Sequence, residues 1–231
     1  MRIVNWNCHG AFRRKFRLLE QFDADILIIQ ECENPRGNSP DYRAWAGEHC
    51  WIGKLQFKGL GIFAKNGHSL KQLDWPDAGA SLFLPVSVDD DLQLVGVWTQ
   101  TAKLAAESYA GQLARFFDQN RQCFNQRTIM AGDFNSNTSL DKPRAKWTHA
   151  QCAIDLANDG LVSLYHHTAG EDHGRESCPT FFQQRDRAKP FHIDYAFAHK
   201  SLIPDGGPRF SIGSPEQWLA HSDHMPLVFE I

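Results

Sequence analysis

Ile26-Leu27-Ile28-Ile29 is the most restrictive stretch of the chain: four consecutive large apolar side chains, three of them β-branched, between Asp25 and Gln30. A strand sends alternate side chains to opposite faces, so a run with no polar position belongs to a strand covered on both sides, inside a layered fold. Similar short runs recur at Arg2 to Trp6, Gly59 to Ala64, Ser81 to Val88, Gln93 to Trp98, Thr128 to Ala131, Leu161 to Tyr165, Thr180 to Gln183, His192 to Ala198 and Pro226 to Glu230. Between them lie helical patterns. Phe12, Phe16, Leu19 and Phe22 fall at helical spacing, with Arg13, Arg14, Lys15 and Arg17 as a basic face; longer helices are expected over Lys103 to Asn125, with Tyr109 in its apolar stripe, and Thr148 to Asn158. Asp89-Asp90-Asp91 reads as a hairpin turn, which argues for mixed or antiparallel sheets. No linker, repeat or low-complexity block divides the chain, so one α+β domain over residues 1–231 is expected.

Charge and cysteine content bound the function. With 24 Lys and Arg against 27 Asp and Glu the net charge is -3, which excludes a polycationic nucleic-acid coat. The six cysteines are scattered with no C-x-x-C pair and read as reduced thiols in the cytoplasm. No stretch approaches the ~20 apolar residues needed to span a bilayer, so no membrane partner is expected.

Polar residues gather where apolar strands end: Trp6-Asn7, Gln30-Glu31, Gly132-Asp133-Phe134-Asn135, Ile193-Asp194-Tyr195 and Ser222-Asp223-His224. Burying several carboxylates near one another is unfavourable unless a cation, a histidine or a set of donors compensates. Oxygen ligands from Glu, Asp and Asn suit Mg²⁺, and a histidine beside them suits a phosphoryl transition state.

These five motifs, in this order from residue 6 to residue 224, resemble the endonuclease/exonuclease/phosphatase superfamily. The resemblance implies an α/β four-layer sandwich, with two mixed β-sheets packed face to face and flanked by helices. It also implies a Mg²⁺-dependent hydrolase, with Mn²⁺ as a substitute. Carried over residue by residue, Glu31 is the principal metal ligand, with Asn7 beside it and Asp223 completing the metal environment. Asp133 orients and deprotonates the attacking water, and Asn135 holds that water and a phosphate oxygen. His224 donates to a non-bridging oxygen, and Asp194 fixes its tautomer.

Two positions depart from relatives. Trp98 stands where many carry Tyr or His and is either core or a stacking surface for a base; His9 stands where the family's apurinic endonucleases often carry Asp. The Trp-Cys-Asp-Arg block of the inositol 5-phosphatase branch is replaced by His192-Ile193-Asp194-Tyr195, which points to the nuclease side. Arg13 and Arg14 after Asn7, and Arg185 and Arg187 before Asp194, are candidate phosphate contacts, or else solvated surface. The expected partner is nucleic acid, DNA in the first instance, bound by a monomer without an obligate protein partner. The alternatives are a phosphatase or phosphodiesterase for a small or lipid-linked phosphate ester, and a dead binding module, against which the complete site set argues. His166, His167, His173 and Cys178 match no familiar zinc spacing, and His166-His167 read as strand-end surface residues.

Overall fold

The computed structural model describes residues 1–80, 82–104 and 107–231. Ile26–Cys32 is a central strand, and its alternation sets the layering. Ile26 and Ile28 point into one apolar cluster while Leu27 and Ile29 point into another on the opposite face. In chain order the strands are β1 (Arg2–Asn7), β2 (Ile26–Cys32), β3 (His49–Leu55), β4 (Lys58–Ala64), β5 (Leu70–Gln72), β6 (Phe83–Val88), β7 (Leu92–Trp98), β8 (Thr128–Asp133), β9 (Leu161–Ser163), β10 (Phe181–Phe182), β11 (Pro190–Phe191), β12 (Asp194–His199), β13 (Arg209–Ile212) and β14 (Leu227–Glu230). They form two six-stranded sheets, ordered β13-β14-β1-β2-β4-β3 and β5-β6-β7-β8-β12-β9, with β10 and β11 as a separate hairpin. Both sheets are mixed: β1 runs parallel to β2, and β7 parallel to β8, while the other pairings are antiparallel.

Ile3, Ile26, Ile28, Leu60 and Ile62 of the first sheet meet Leu84, Val86, Leu94, Ile129, Ala131 and Ala196 of the second in a single buried cluster. This is the inter-sheet core. The outer face of the first sheet is covered by Phe12, Phe16 and Leu19 together with α1 (Pro40–Ala46) and a short turn of helix at Pro215–Trp218. The outer face of the second is covered by α2 (Ala110–Asn120) and α3 (His149–Asn158). Four layers result, the sandwich that the resemblance implies.

Local departures from expectation have local causes. The segment from Phe12 to Phe22 forms two 3-10 helices rather than one α-helix. They break at Lys15, whose ammonium is drawn away to the carbonyls of Cys8 and His221 at 2.7 and 2.6 Å. α2 starts only at Ala110, because Tyr109 has φ 43° and cannot sit inside a helix, so Tyr109 lies outside the apolar stripe. It ends at Asn120, where the chain tightens into a 3-10 turn. Residues 105 and 106 of the expected helix, and Ser81 of the expected strand, lie outside the described residues. α3 begins one residue after Thr148, whose hydroxyl accepts from the Gln151 amide as an N-cap. The expected strand from Leu161 to Tyr165 stops at Ser163, and Leu164–Ala169 is a helix, α4, closed by left-handed Gly170. Among the described residues no helix is long and apolar enough to cross a membrane.

One charge sits awkwardly in this frame. Lys65 lies over the Trp45 ring at 3.8 Å and donates to the Trp45 carbonyl. Burial lowers its pKa to about 8, against a small opposing effect of Glu20. Above pH 8 the native lysine sheds its proton before the unfolded one does, so the native state gains stability as pH rises toward the ordinary lysine value near 10.5. Lys65→Met is therefore expected to be more stable than wild type at pH 7 by about 1 kcal/mol, allowing for solvent at the partly exposed ammonium. The advantage should shrink between pH 8 and 10.5. Urea titrations across that range check it; a gap that stays constant would mean that Lys65 carries no desolvation cost.

Candidate active site

Strand parity delivers the polar residues to one end of the inter-sheet core. On β1, Ile3 faces that core, so Asn5 and Asn7 follow on the same face; on β8, Ile129 and Ala131 do, so Asp133 follows. On β12, Asp194 shares the face of Ala196 and Ala198. Asp133 and Asp194 are register partners across β8 and β12, and Trp98 is the partner of Asp133 on β7. Asn7 pairs in register with Gln30, and a register irregularity between Gln30 and Cys32 leaves Glu31 unpaired at φ 61°. That bulge re-aims the Glu31 carboxylate at the strand end.

Asp133 is the hub. Its Oδ2 accepts from Asn7 Nδ2 and from Asn135 Nδ2, both at 2.9 Å, while Oδ1 accepts from the Asn135 backbone amide at 2.9 Å. Asn135 stands at φ 47°, a left-handed conformation that asparagine tolerates, and its amide also donates to the Thr99 carbonyl. His224 Nδ1 faces both oxygens of Asp194, at 2.9 and 3.1 Å, which turns Nε2 toward Asp133 Oδ2, 3.9 Å away. That gap is too wide for a direct hydrogen bond and suits an intervening oxygen.

The electrostatics favour a protonated histidine beside a basic carboxylate. Burial lowers the pKa of His224, but the carboxylates of Asp194 and Asp133 outweigh it and the net shift is upward. Burial also pushes the Asp133 carboxyl up, His224 opposing and Asp194 adding to the rise. Asp133 is thus more basic than an ordinary aspartate.

Glu31 and Asp223 lie further out. Glu31 pairs with Lys58 at 3.0 Å, and that ammonium sits 5.4 Å from the Trp98 ring centroid. Asp223 pairs with His9 Nδ1 at 3.0 Å, while the His9 amide donates to Asn7 Oδ1 at 3.0 Å. A divalent cation fits this set. The donors are hard oxygens, and the side chains that now balance them, Lys58 and His9, are substantially exposed. Asp133, Asp194 and His224 converge more tightly, with one ligand atom from each within 4.8 Å of the others.

The basic residues singled out in sequence divide. Arg13 is paired with the buried Glu33, and Arg187 with Glu216 at 2.7 Å, so both charges are offset within the protein. Arg14 and Arg185 are exposed, and Arg185 is close enough to lower the pKa of Lys15, after the larger effect of burial and against the opposing effect of Cys8. Trp98 is buried at the rim, against Lys58.

Several contributors carry no motif. Thr180 Oγ1 accepts from the amides of Ile193 and Asp194, both at 3.0 Å, and Ser222 Oγ donates to the Asn7 carbonyl while accepting from the His224 amide. Trp6 Nε1 donates to the His224 carbonyl at 2.9 Å. A cavity of about 570 Å³ opens beside Asn135, lined by Tyr109, Lys142, Arg144, Lys146 and Trp147 among others. Its signal lies in plain view as Asp141-Lys142-Pro143-Arg144-Ala145-Lys146-Trp147, a basic and aromatic run shortly after the Asp133 motif.

Comparison with known proteins bears on the fold and the family. The family model described as "Endonuclease/Exonuclease/phosphatase family" matches residues 4–224. No curated protein sequence matches the chain. Among solved structures, the chain is similar to an AP endonuclease from Archaeoglobus fulgidus, with TM-score 0.73, 17% identity and coverage of 100% of this chain and 99% of that one. A 3'-5' exonuclease (NExo) from Neisseria meningitidis gives TM-score 0.69, 18% identity and coverage of 100% and 99%. D. rerio TDP2 complexed with a single-strand DNA product gives TM-score 0.64, 17% identity and coverage of 100% and 99%. With the matched residues running from β1 to His224 and the polar strand ends gathered round Asp133, the chain belongs to the endonuclease/exonuclease/phosphatase family, hydrolases that act on phosphate esters.

Proposed function

We propose that this protein is a divalent-metal-dependent nuclease that hydrolyses phosphodiester bonds of nucleic acid, DNA in the first instance. The observation that carries this reading is the cavity beside Asn135, where three cations (Lys142, Arg144 and Lys146) and two aromatic side chains (Tyr109 and Trp147) continue outward from the catalytic cluster. Cations follow a phosphate backbone and aromatic faces stack on bases, a combination that a small phosphate ester does not require. The likeness to TDP2, whose structure carries a single-strand DNA product, supports it.

In this reading Asp133 takes the proton of an in-line water that the Asn135 amide orients. Asn7 donates to the same Asp133 Oδ2 as the Asn135 side chain and helps to keep the carboxylate aimed. His224, protonated and steered by Asp194 through Nδ1, donates from Nε2 to a non-bridging oxygen as charge accumulates there. Glu31, with Asp223 and Asn7, would hold Mg²⁺ or Mn²⁺, which supplies charge neutralisation at the phosphate and the leaving oxygen when bound. The six cysteines are all free, which supports a reducing, cytoplasmic setting.

A cleavage panel crossing Mg²⁺, Mn²⁺, Zn²⁺ and EDTA with single-stranded, duplex, abasic and RNA substrates tests the proposal. Cleavage by Mg²⁺ or Mn²⁺ that EDTA abolishes is expected. Intact nucleic acid alongside turnover of a small phosphate ester would sink it in favour of a phosphatase. The groove yields a second expected result. Lys142→Ala, Arg144→Ala and Lys146→Ala combined should weaken DNA binding and flatten the log K against log salt slope by about 2–3 units, close to one for each phosphate no longer neutralised. An unchanged slope would assign the three to solvated surface.

A further inference from the structure

We propose that His166, His173 and Glu176 form a second metal site, for a transition-metal ion of the zinc class, on the outer face of the second sheet behind the catalytic cleft. One ring nitrogen of each histidine and one Glu176 carboxylate oxygen lie within 4.8 Å of one another. Nothing in the proposed catalysis uses them. His166 does not end a strand at the surface; it lies in α4 with its ring largely buried, and Glu176 is also largely buried.

The donor chemistry is that of zinc rather than magnesium. Two imidazoles and one carboxylate are a common three-ligand set for Zn²⁺, with a fourth position left for water. His166 Nδ1 lies 2.7 Å from Ser163 Oγ, a contact that fixes the ring and leaves Nε2 to face Glu176 Oε1 at 3.1 Å. With Nδ1–H donating to Ser163, the Nε2 lone pair and the carboxylate oxygen are two acceptors side by side, an arrangement that a cation relieves. Oε1 is further held by the Gly174 amide and Asn137 Nδ2, both at 3.0 Å. Cys178 is not part of this group.

His173 supplies the adjustable ligand. Its ring stacks on His166 at 3.6 Å and 21°, which sets the ring nitrogens side by side rather than convergent. Turning the ring onto a shared ion breaks no hydrogen bond at Nδ1, which is buried without a partner. A further observation points to a ligand. His192 is almost wholly buried, its Nδ1 is held by the Cys178 carbonyl at 2.7 Å, and its Nε2 has no partner. It lines, with Glu176, Asn137, Gly174 and Phe191, a cavity of about 250 Å³ that has room for water on an ion. Asn137 ties the site to the catalytic loop: its amide reaches Glu176, the His192 carbonyl and Tyr195, two residues along from Asn135.

The test uses the full chain, dialysed into metal-free buffer and titrated with Zn²⁺ against a chromophoric chelator, and separately with Co²⁺ followed by visible absorption. Wild type should hold Zn²⁺ in competition with the chelator, and its Co²⁺ form should show the intense bands of four-coordinate nitrogen and oxygen ligation. Glu31→Gln should leave both unchanged. Ser163→Ala should weaken Zn²⁺ about 10–100-fold through loss of the His166 support, and His166→Ala or His173→Ala by more than that. Equal Zn²⁺ affinity in wild type and His173→Ala, or only the weak Co²⁺ spectrum of a six-coordinate oxygen site, would overturn the proposal. Because the Co²⁺ spectrum is read on wild type, a misfolded variant does not shield the idea, and neither readout depends on the activity of the cleft.

Discussion

Asp133→Asn should lower kcat by about 10²–10⁴-fold, the range associated with loss of a positioned general base. The substitution keeps volume and shape but replaces an oxygen that accepts from both Asn7 and Asn135 with one atom able to donate, so the amides that aim the group now face a competing donor. His224, whose pKa burial lowers, also loses one of the three carboxylates, Asp194, Asp133 and Asp223, that raise it. The effect of His224→Ala should therefore not multiply with that of Asp133→Asn: two residues acting on one transition state lose most of their joint contribution when either is removed. Single-turnover rates on an end-labelled oligonucleotide in excess Mg²⁺ measure this. A loss under tenfold for Asp133→Asn would remove Asp133 from the proton-transfer role, and strictly multiplicative losses would mean that the two residues act independently.

Trp6→Ala should destabilise the protein by about 3–5 kcal/mol, the usual cost of emptying a large aromatic site in a core. Trp6 is fully buried in the outer cluster of the first sheet, edge-on to Trp218 with centroids 5.1 Å apart and to Phe12 at 6.4 Å. Its indole also satisfies the His224 carbonyl. Truncation thus leaves both a cavity and a buried carbonyl without its donor. Trp6→Phe separates the two contributions, since it keeps most of the apolar contact and removes only the N–H. It should cost much less stability yet disturb the backbone that carries His224, lowering activity more than its melting temperature suggests. Chemical denaturation together with kcat at a temperature where all variants are folded checks both halves. A Trp6→Phe variant as unstable as Trp6→Ala would mean that the hydrogen bond, and not the ring, holds the strand end.

Strands buried on both faces were readable because every position carries the same signal, as in Ile26 to Ile29. Strands β3, β5 and β13 were not: they are edge strands with no fully buried residue, β5 and β13 are only three and four residues long, and β3 mixes polar with apolar residues. The gathering of polar side chains round Asp133 was legible for a related reason. Asn7, Asp133 and Asp194 continue the inward parity of apolar strands, so a polar residue there contradicts its own neighbourhood and stands out. What remained hidden depends on pairing across long stretches of chain. Arg13 looks available until Glu33, 20 residues on, is seen beside it, and Arg187 until Glu216, 29 residues on. The run of Lys142, Arg144, Lys146 and Trp147 was visible both in composition and in its nearness to Asn135, but that it lines a cavity there emerges only from the fold.

The parity that places Asn7, Asp133 and Asp194 at the end of the inter-sheet core has a corollary for substitution. Asn7, Asp133 and Asp194 stand on buried strands, whereas the groove is lined by residues 141–147, a segment tied to the fold by Asp141, which accepts from the first amides of α3, and by Trp147, which packs against the outer cluster of the second sheet. If the groove takes the substrate, as we propose, changes at the exposed Lys142, Arg144 and Lys146 would alter what is bound while leaving the polar strand ends in place. That division separates the three exposed cations, where substitution should change binding alone, from Asp141 and Trp147, where it should also cost stability.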